Sequence, residues 1–147
     1  MIRLRRPEDM SELIAVWRQS SVYADEYMPA ATWWYRQEMM IKQLESDTEV
    51  WIQFNAKNEM MGFLALKSNE IIELFIRPEC VGLVQAVELL DWVRSHYPIL
   101  YHRVCVDNRE EVAFYLNQGF AIKETRIHPV WKLEEHWMEC HRSTVLN

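Results

Sequence analysis

A chain of 147 residues, half of them hydrophobic and 26% charged, is long enough for one domain with a sizeable core. Its formal net charge of −6 argues against a nucleic-acid surface and weakly favours a cationic partner. No apolar run reaches the length of a membrane span, and the start MIRLRRPEDM lacks the apolar stretch of a signal peptide. The three cysteines, Cys80, Cys105 and Cys140, contain no CxxC spacing, so reduced thiols in a cytoplasmic protein are expected.

Residues 2–5 alternate apolar and charged, as a half-buried first strand does. Pro7, Glu8 and Asp9 suit a first helical turn. Met10, Leu13, Ile14 and Trp17 follow on one face, which predicts a helix to about residue 22. Residues 23–32 break around Pro29 and read as a loop; residues 33–44 form a second helix carrying Trp34, Met40, Ile41 and Leu44. Residues 49–54 and 60–66 read as a hairpin across the polar turn 56–59. Ser68 and Asn69 then turn the chain into the next strand. Ile71, Ile72, Leu74, Phe75 and Ile76 predict a short buried strand, which Pro78 stops. Leu83, Val84, Val87, Leu90 and Val93 recur at helical spacing, and that helix is expected to end near residue 95.

Pro98 resets the chain, and residues 99–106 read as a strand. Asn108 precedes a helix with Glu110 and Glu111 in its first turn. Val112, Ala113, Tyr115 and Leu116 line its apolar face, and Gly119 stands where a helix takes a C′ glycine. Residues 121–127 and 132–139 read as closing strands, and 141–147 as a frayed tail. The order βααβββαβαββ predicts a single α/β domain over residues 1–147. Its mixed central sheet has about six or seven strands with helices on both faces. The strand, loop and helix over residues 71–92 leave backbone N–H groups at a helix start, a natural anion site suited to a pyrophosphate.

The segment 108–120, with Asn108, Phe114-Tyr115 and Gly119-Phe120, resembles the closing motif of the GNAT acetyltransferase superfamily. The run 49–66 with Gly62 resembles that family's second and third strands, and the order of elements matches over nearly the whole chain. The resemblance implies an N-acetyltransferase that moves an acetyl group from acetyl-CoA to a primary amine by direct attack. The amine belongs to a small molecule, a peptide N-terminus or a lysine. The departure lies in the cofactor loop PECVGLVQA. Where the family usually carries Gln or Arg, Gly, then Gly or Ala, this chain has Val81, Val84 and Ala86, and Gly82 matches an accessory glycine. Arg77 is the nearest substitute for the missing cation. By resemblance the cofactor meets Phe75, Ile76, Val81, Gly82, Leu83, Val84, Gln85 and Ala86, and Asn108 bonds its pantetheine arm. An ordinary N-cap is a compatible role for Asn108.

A lysine-like amine has a pKa near ~10.4, so its neutral nucleophilic form lies about 4–5 kcal/mol uphill at neutral pH. A carboxylate that takes the proton removes that obstacle. Glu73, among apolar neighbours in the central strand, is the expected base, with Glu70 as fallback; a solvent-side or ion-paired carboxylate is the alternative for Glu73. Tyr115 matches the family's general acid for the leaving thiolate; otherwise it is an aromatic anchor between helix and sheet. By resemblance the acceptor site lies by the two N-terminal helices. Asp25, Glu26, Tyr27 and Trp33 are its expected substrate-binding residues, with Tyr23, Trp34 and Tyr35 nearby. Acids beside aromatics suit a cationic amine. Trp131 and Trp137 read as covering a homodimer surface. Cys80 is expected to be an inert loop thiol, and His136, Cys140 and His141 lack an evident third partner for a metal. No nucleic acid, membrane or metal is expected as a partner. A second reading keeps the fold but loses efficient cofactor binding, leaving a binding or regulatory module. Val81 and Val84 favour it, and the intact Asn108, Tyr115 and Gly119 block opposes it.

Overall fold

The first alternating segment pairs as a strand, β1 (Ile2–Leu4), with β2 (Glu49–Phe54) in antiparallel register. The computed structural model describes residues 1–24, 33–79 and 84–142, with side chains for 1–19, 35–79 and 84–142. Pro7–Asp9 forms one turn of 3-10 helix rather than the first turn of an α-helix. The Asp9 carboxylate anchors it, accepting the Arg6 amide at 2.7 Å and the Arg3 guanidinium at 2.7 and 3.1 Å. The bond to Arg3 and the Arg6 amide hold that carboxyl below its ordinary range despite the cost of burial. Helix α1 (Met10–Ala24) runs two residues past its expected end at 22, and α2 (Trp33–Glu45) follows.

Strands β3 (Met60–Lys67) and β4 (Glu70–Ile76) complete an antiparallel set with β2. After α3 (Val84–Arg94) come β5 (Ile99–Cys105), α4 (Arg109–Asn117), β6 (Ala121–Ile127) and β7 (Glu134–His141). They form one seven-stranded mixed sheet in the order β1-β2-β3-β4-β5-β7-β6. Only β4 and β5 run parallel, which requires the crossover that α3 supplies. Apolar faces on both sides of the sheet are covered. Leu13, Val16, Trp17, Met40 and Leu44 of α1 and α2 pack on Val50, Ile52, Phe63 and Ala65. Leu89, Leu90 and Val93 of α3 and Tyr115 of α4 pack on Leu64, Leu66, Ile71, Leu100 and Val104.

Two departures from regular strand geometry position the site. Ala65 pairs with Glu73 and Leu66 with Ile71, so Ile72 is an extra residue, a β-bulge in β4. Strands β4 and β5 have seven residues each, yet pair only at Glu70↔Tyr101 and Ile71↔His102. Beyond Ile71 they part and leave a cleft. The central strand is therefore not the buried strand its composition suggests: Ile71 alone is fully buried, and the rest of β4 is half-buried along the cleft. At Gly62 the neighbouring strand comes so near that an added Cβ would lie 2.3 Å from the Phe75 carbonyl oxygen.

Further corrections fall at element ends. Lys132 has φ 60° and donates its amide to the His128 carbonyl, so residues 132 and 133 belong to the β6–β7 loop. Strand β7 then extends to His141, opposite Ile99, and residues 143–147 lie outside the described part. On α4, Ala113 and Leu116 face solvent, while Val112 and Phe114 pack with Tyr115 against the core. The helix ends at Gly119 with φ 90°. The Gly119 amide bonds Leu116 and the Phe120 amide bonds Tyr115, at 3.1 and 3.0 Å. This cap lays Phe120 against Tyr115 with ring centroids 5.1 Å apart.

Candidate active site

The cleft starts where the β4–β5 pairing stops. The Arg77 amide donates to the Met61 carbonyl at 2.8 Å, so alternation turns the Phe75 N–H toward β3 and the Ile76 N–H toward the cleft. Of the two residues expected to meet the cofactor here, Ile76 is the one whose N–H is turned away from β3. The side chains divide likewise: Phe75 packs on Phe63 at 5.8 Å over the α1–α2 face, and Ile76 packs with the α3–α4 core.

Helix α4 delivers the next groups. Asn108 caps it: its Oδ1 accepts the Glu111 amide at 3.2 Å, while its Nδ2 donates to Glu111 Oε2 at 2.8 Å. The other oxygen of Glu111 meets His102 Nε2 at 3.2 Å, and His102 Nδ1 meets the Ile71 carbonyl at 2.8 Å. Tyr115, one turn further along, is 1% exposed and packs among Phe114, Phe120 and His102. Burial above all, then the negative charges of Glu111 and Glu73, keep its phenol protonated well beyond the ordinary tyrosine range. Both carboxylates act on it, Glu111 more strongly than Glu73.

A cavity of about 270 Å³ opens on the α1–α2 side of this cleft. Glu70, Ile72, Glu73 and Phe75 of β4, His102, Arg103 and Cys105 of β5, and Glu111 line it, with Trp17, Arg36, Met40 and Gln43 from α1 and α2. The bulge is what brings Glu73 to this face. Glu70 is ion-paired to Arg103 at 2.7 Å. Burial pushes the Cys105 thiol up and keeps it unreactive. A second cavity of about 730 Å³ shares Gln43, Glu70, Ile72, His102 and Arg103 with the first and continues past Tyr101, Lys123 and Trp137.

Other sequence expectations fare differently. Asp25, Glu26 and Tyr27, and Val81, Gly82 and Leu83 with Cys80, lie outside the described residues. The side chains of Tyr23, Trp33 and Trp34 do as well. Val84 opens α3 at 61% exposure, Ala86 is buried, and the Gln85 side-chain oxygen is buried with no partner among the described residues. Arg77 cannot stand in for the missing loop cation. Its guanidinium is spent on the Met60 carbonyl at 2.7 Å and on Gln19 and Glu12 of α1. Trp131 lines the smaller cavity, edge-on to Tyr35 at 5.6 Å and stacked on His128 at 5.7 Å. Trp137 lines the larger one, with the Arg103 and Arg126 guanidinium groups over its ring. His136 bonds Thr125 and His141 bonds Glu139; among the described residues no three His, Cys, Asp or Glu side chains gather around a metal position.

Sequence reasoning missed His102 and Glu111. The signal was present: in β5 the buried positions are Leu100, His102 and Val104, so an ionisable residue interrupts an apolar face. Glu111 was read only as a first-turn acid.

Comparison with protein-family models gives no match. The chain is 28% identical over 123 residues to peptidyl-lysine N-acetyltransferase YjaB of Escherichia coli, covering 82% of each chain. It is 21% identical over 138 residues to peptidyl-lysine N-acetyltransferase YiaC of the same organism, covering 89% of this chain and 93% of that one. The solution structure of apo YjaB superposes with a TM-score of 0.83 at 23% identity over 95% of both chains. A chimera of the spermidine N-acetyltransferase SpeG from Vibrio cholerae and hSSAT superposes at 0.70, with 14% identity over 96% of this chain and 95% of that one. In fold the chain is similar to these N-acetyltransferases, and the Asn108 to Phe120 block that resembles the GNAT closing motif lies at the β4–β5 junction of that fold.

Proposed function

We propose that this protein transfers an acetyl group from acetyl-CoA to a primary amine by direct attack of the amine. The observation that carries the reading is Tyr115, a buried phenol packed on His102 beside the β4–β5 junction and close enough for the charge of Glu73, which lines the smaller cavity, to act on it. Acetyl-CoA, when bound, supplies the acetyl thioester. The Ile76 N–H, on the β4 edge turned away from β3, and Asn108, bonded to the cavity-lining Glu111, are the groups that would meet its pantetheine end. Glu73 takes a proton from the incoming ammonium at its carboxylate. Tyr115 holds a proton at its Oη for the leaving sulfur.

The lining favours a cationic acceptor. Glu70, Glu73, Glu111 and Glu135 outnumber Arg36 and Arg103. A lysine side chain in a peptide is the acceptor we favour over a free small amine, because the two joined cavities exceed the volume an aminobutyl arm fills. Likeness to two peptidyl-lysine acetyltransferases supports the same choice. The test is acetylation of a lysine peptide and of spermidine by wild type and Tyr115→Phe. The variant should lose about a hundredfold in kcat with KM near wild type, the usual size of a general-acid contribution. Unchanged kcat would remove Tyr115 from the chemistry. The competing reading, a binding module without transfer, draws on the exposed Val84 at the start of α3. Calorimetric titration with acetyl-CoA separates the two, since a module that has lost the cofactor gives no heat.

A further inference from the structure

His102 is the buried ionisable group that the chemistry above leaves unused. It sits on the apolar side of β5 between Leu100 and Val104 and is 6% exposed. A polar ring there costs free energy unless both nitrogens are bonded. They are. The Ile71 carbonyl can only accept, so Nδ1 carries a proton across the 2.8 Å contact. The 3.2 Å contact between Nε2 and Glu111 Oε1 closes through one proton lying between them. Glu111 then grips Asn108 through its other oxygen and through its amide, at 2.8 and 3.2 Å. The same imidazole packs on Tyr115 with centroids 4.6 Å apart. All these contacts meet at the last residue pair that joins β4 to β5.

We infer that His102 is a positioning residue for the cofactor side of the site. It bridges the final paired carbonyl of β4 to Glu111, and through Glu111 it fixes the Asn108 carboxamide at the mouth of the cleft. A leucine would fill the same space but leave the Ile71 carbonyl without the ring donor and Glu111 without its anchor. The assignment rests on the acetyl-transfer reading, since it gives Asn108 a cofactor to hold.

The experiment is steady-state kinetics on wild type, His102→Leu, His102→Asn and His102→Gln with acetyl-CoA and a lysine peptide. His102→Leu should raise the acetyl-CoA KM about tenfold, the worth of one charge-assisted hydrogen bond. The peptide KM should stay within about twofold. Asparagine places an N–H near the Nδ1 position and restores only the bond to Ile71. Glutamine reaches toward the Nε2 position and restores the contact with Glu111. Glutamine should therefore recover cofactor affinity and asparagine should not, a split that a merely structural role would not produce. Should His102→Leu fail to fold, Glu111→Ala removes the bridge from its more exposed end and should give the same rise in acetyl-CoA KM. An acetyl-CoA KM unmoved in both variants, or equal rescue by asparagine and glutamine, overturns the assignment alone. Wild type that binds no acetyl-CoA overturns the functional reading, and the assignment with it.

Discussion

In the proposed reaction two residues of unlike character act, Glu73 placed by a bulge and Tyr115 by burial. Glu73 would face the α3–α4 core if β4 were regular; the extra residue at Ile72 turns it to the cavity. With Glu73 as the base, Glu73→Gln should lower kcat about a hundredfold near neutral pH. The deficit should shrink as pH approaches ~10, where a lysine amine loses its proton unaided. A pH–rate profile parallel to wild type would take the base assignment away. Tyr115 shows the complementary case. Its aromatic packing and its proposed acid role are not rivals, because the packing that anchors it is what keeps its proton in place. The motif made Tyr115 legible in the sequence. His102 was hidden because its role depends on Ile71 and Glu111, which are 31 and 9 residues away along the chain.

Periodicity located each strand and helix within a few residues, because each carries one apolar face matched to its own repeat. What it could not show was how β4 fits between its neighbours. The run over 71–76 is apolar enough for full burial, but the bulge and the divergence from β5 leave it half-buried. A bulge has no signature in composition, since it is set by the register of the partner strand. The end of the β6–β7 loop was missed for a similar reason: Lys132 takes a positive φ without being glycine. Gly62 is the element-scale feature the sequence did flag, and its cause is a close approach of strands. Gly62→Ala forces a Cβ onto a backbone oxygen that cannot move aside. The expected loss is about 3 kcal/mol, the upper end for overpacking. Thermal unfolding should show it as a Tm lower by roughly 6–12 °C for a chain of this size. A shift within experimental error would mean β3 and β4 can slide apart at that point.

Over the whole molecule, two sets of helices clamp one sheet, and the opening lies between the halves of the sheet instead of at its rim. In the proposed reaction this would let cofactor and acceptor approach from different directions. Amide hydrogen exchange should record this. The Tyr101 amide, which bonds Asn69 at 3.0 Å across the β4–β5 junction, should exchange faster than amides in the β5–β7 ladder. Acetyl-CoA should slow it. Equal protection at both places would show that the junction is as firmly held as the ladders beside it.

The single parallel step carries a mechanical consequence. Strands β1 to β4 form one antiparallel plate and β5, β7 and β6 another, each contiguous in sequence and each stitched by full-length ladders. Between them runs a seam of two rungs. Prying the plates apart at that seam breaks little, whereas doing so anywhere else would tear a complete ladder. The protein thus has one built-in line of compliance, and the groups proposed to react stand beside it.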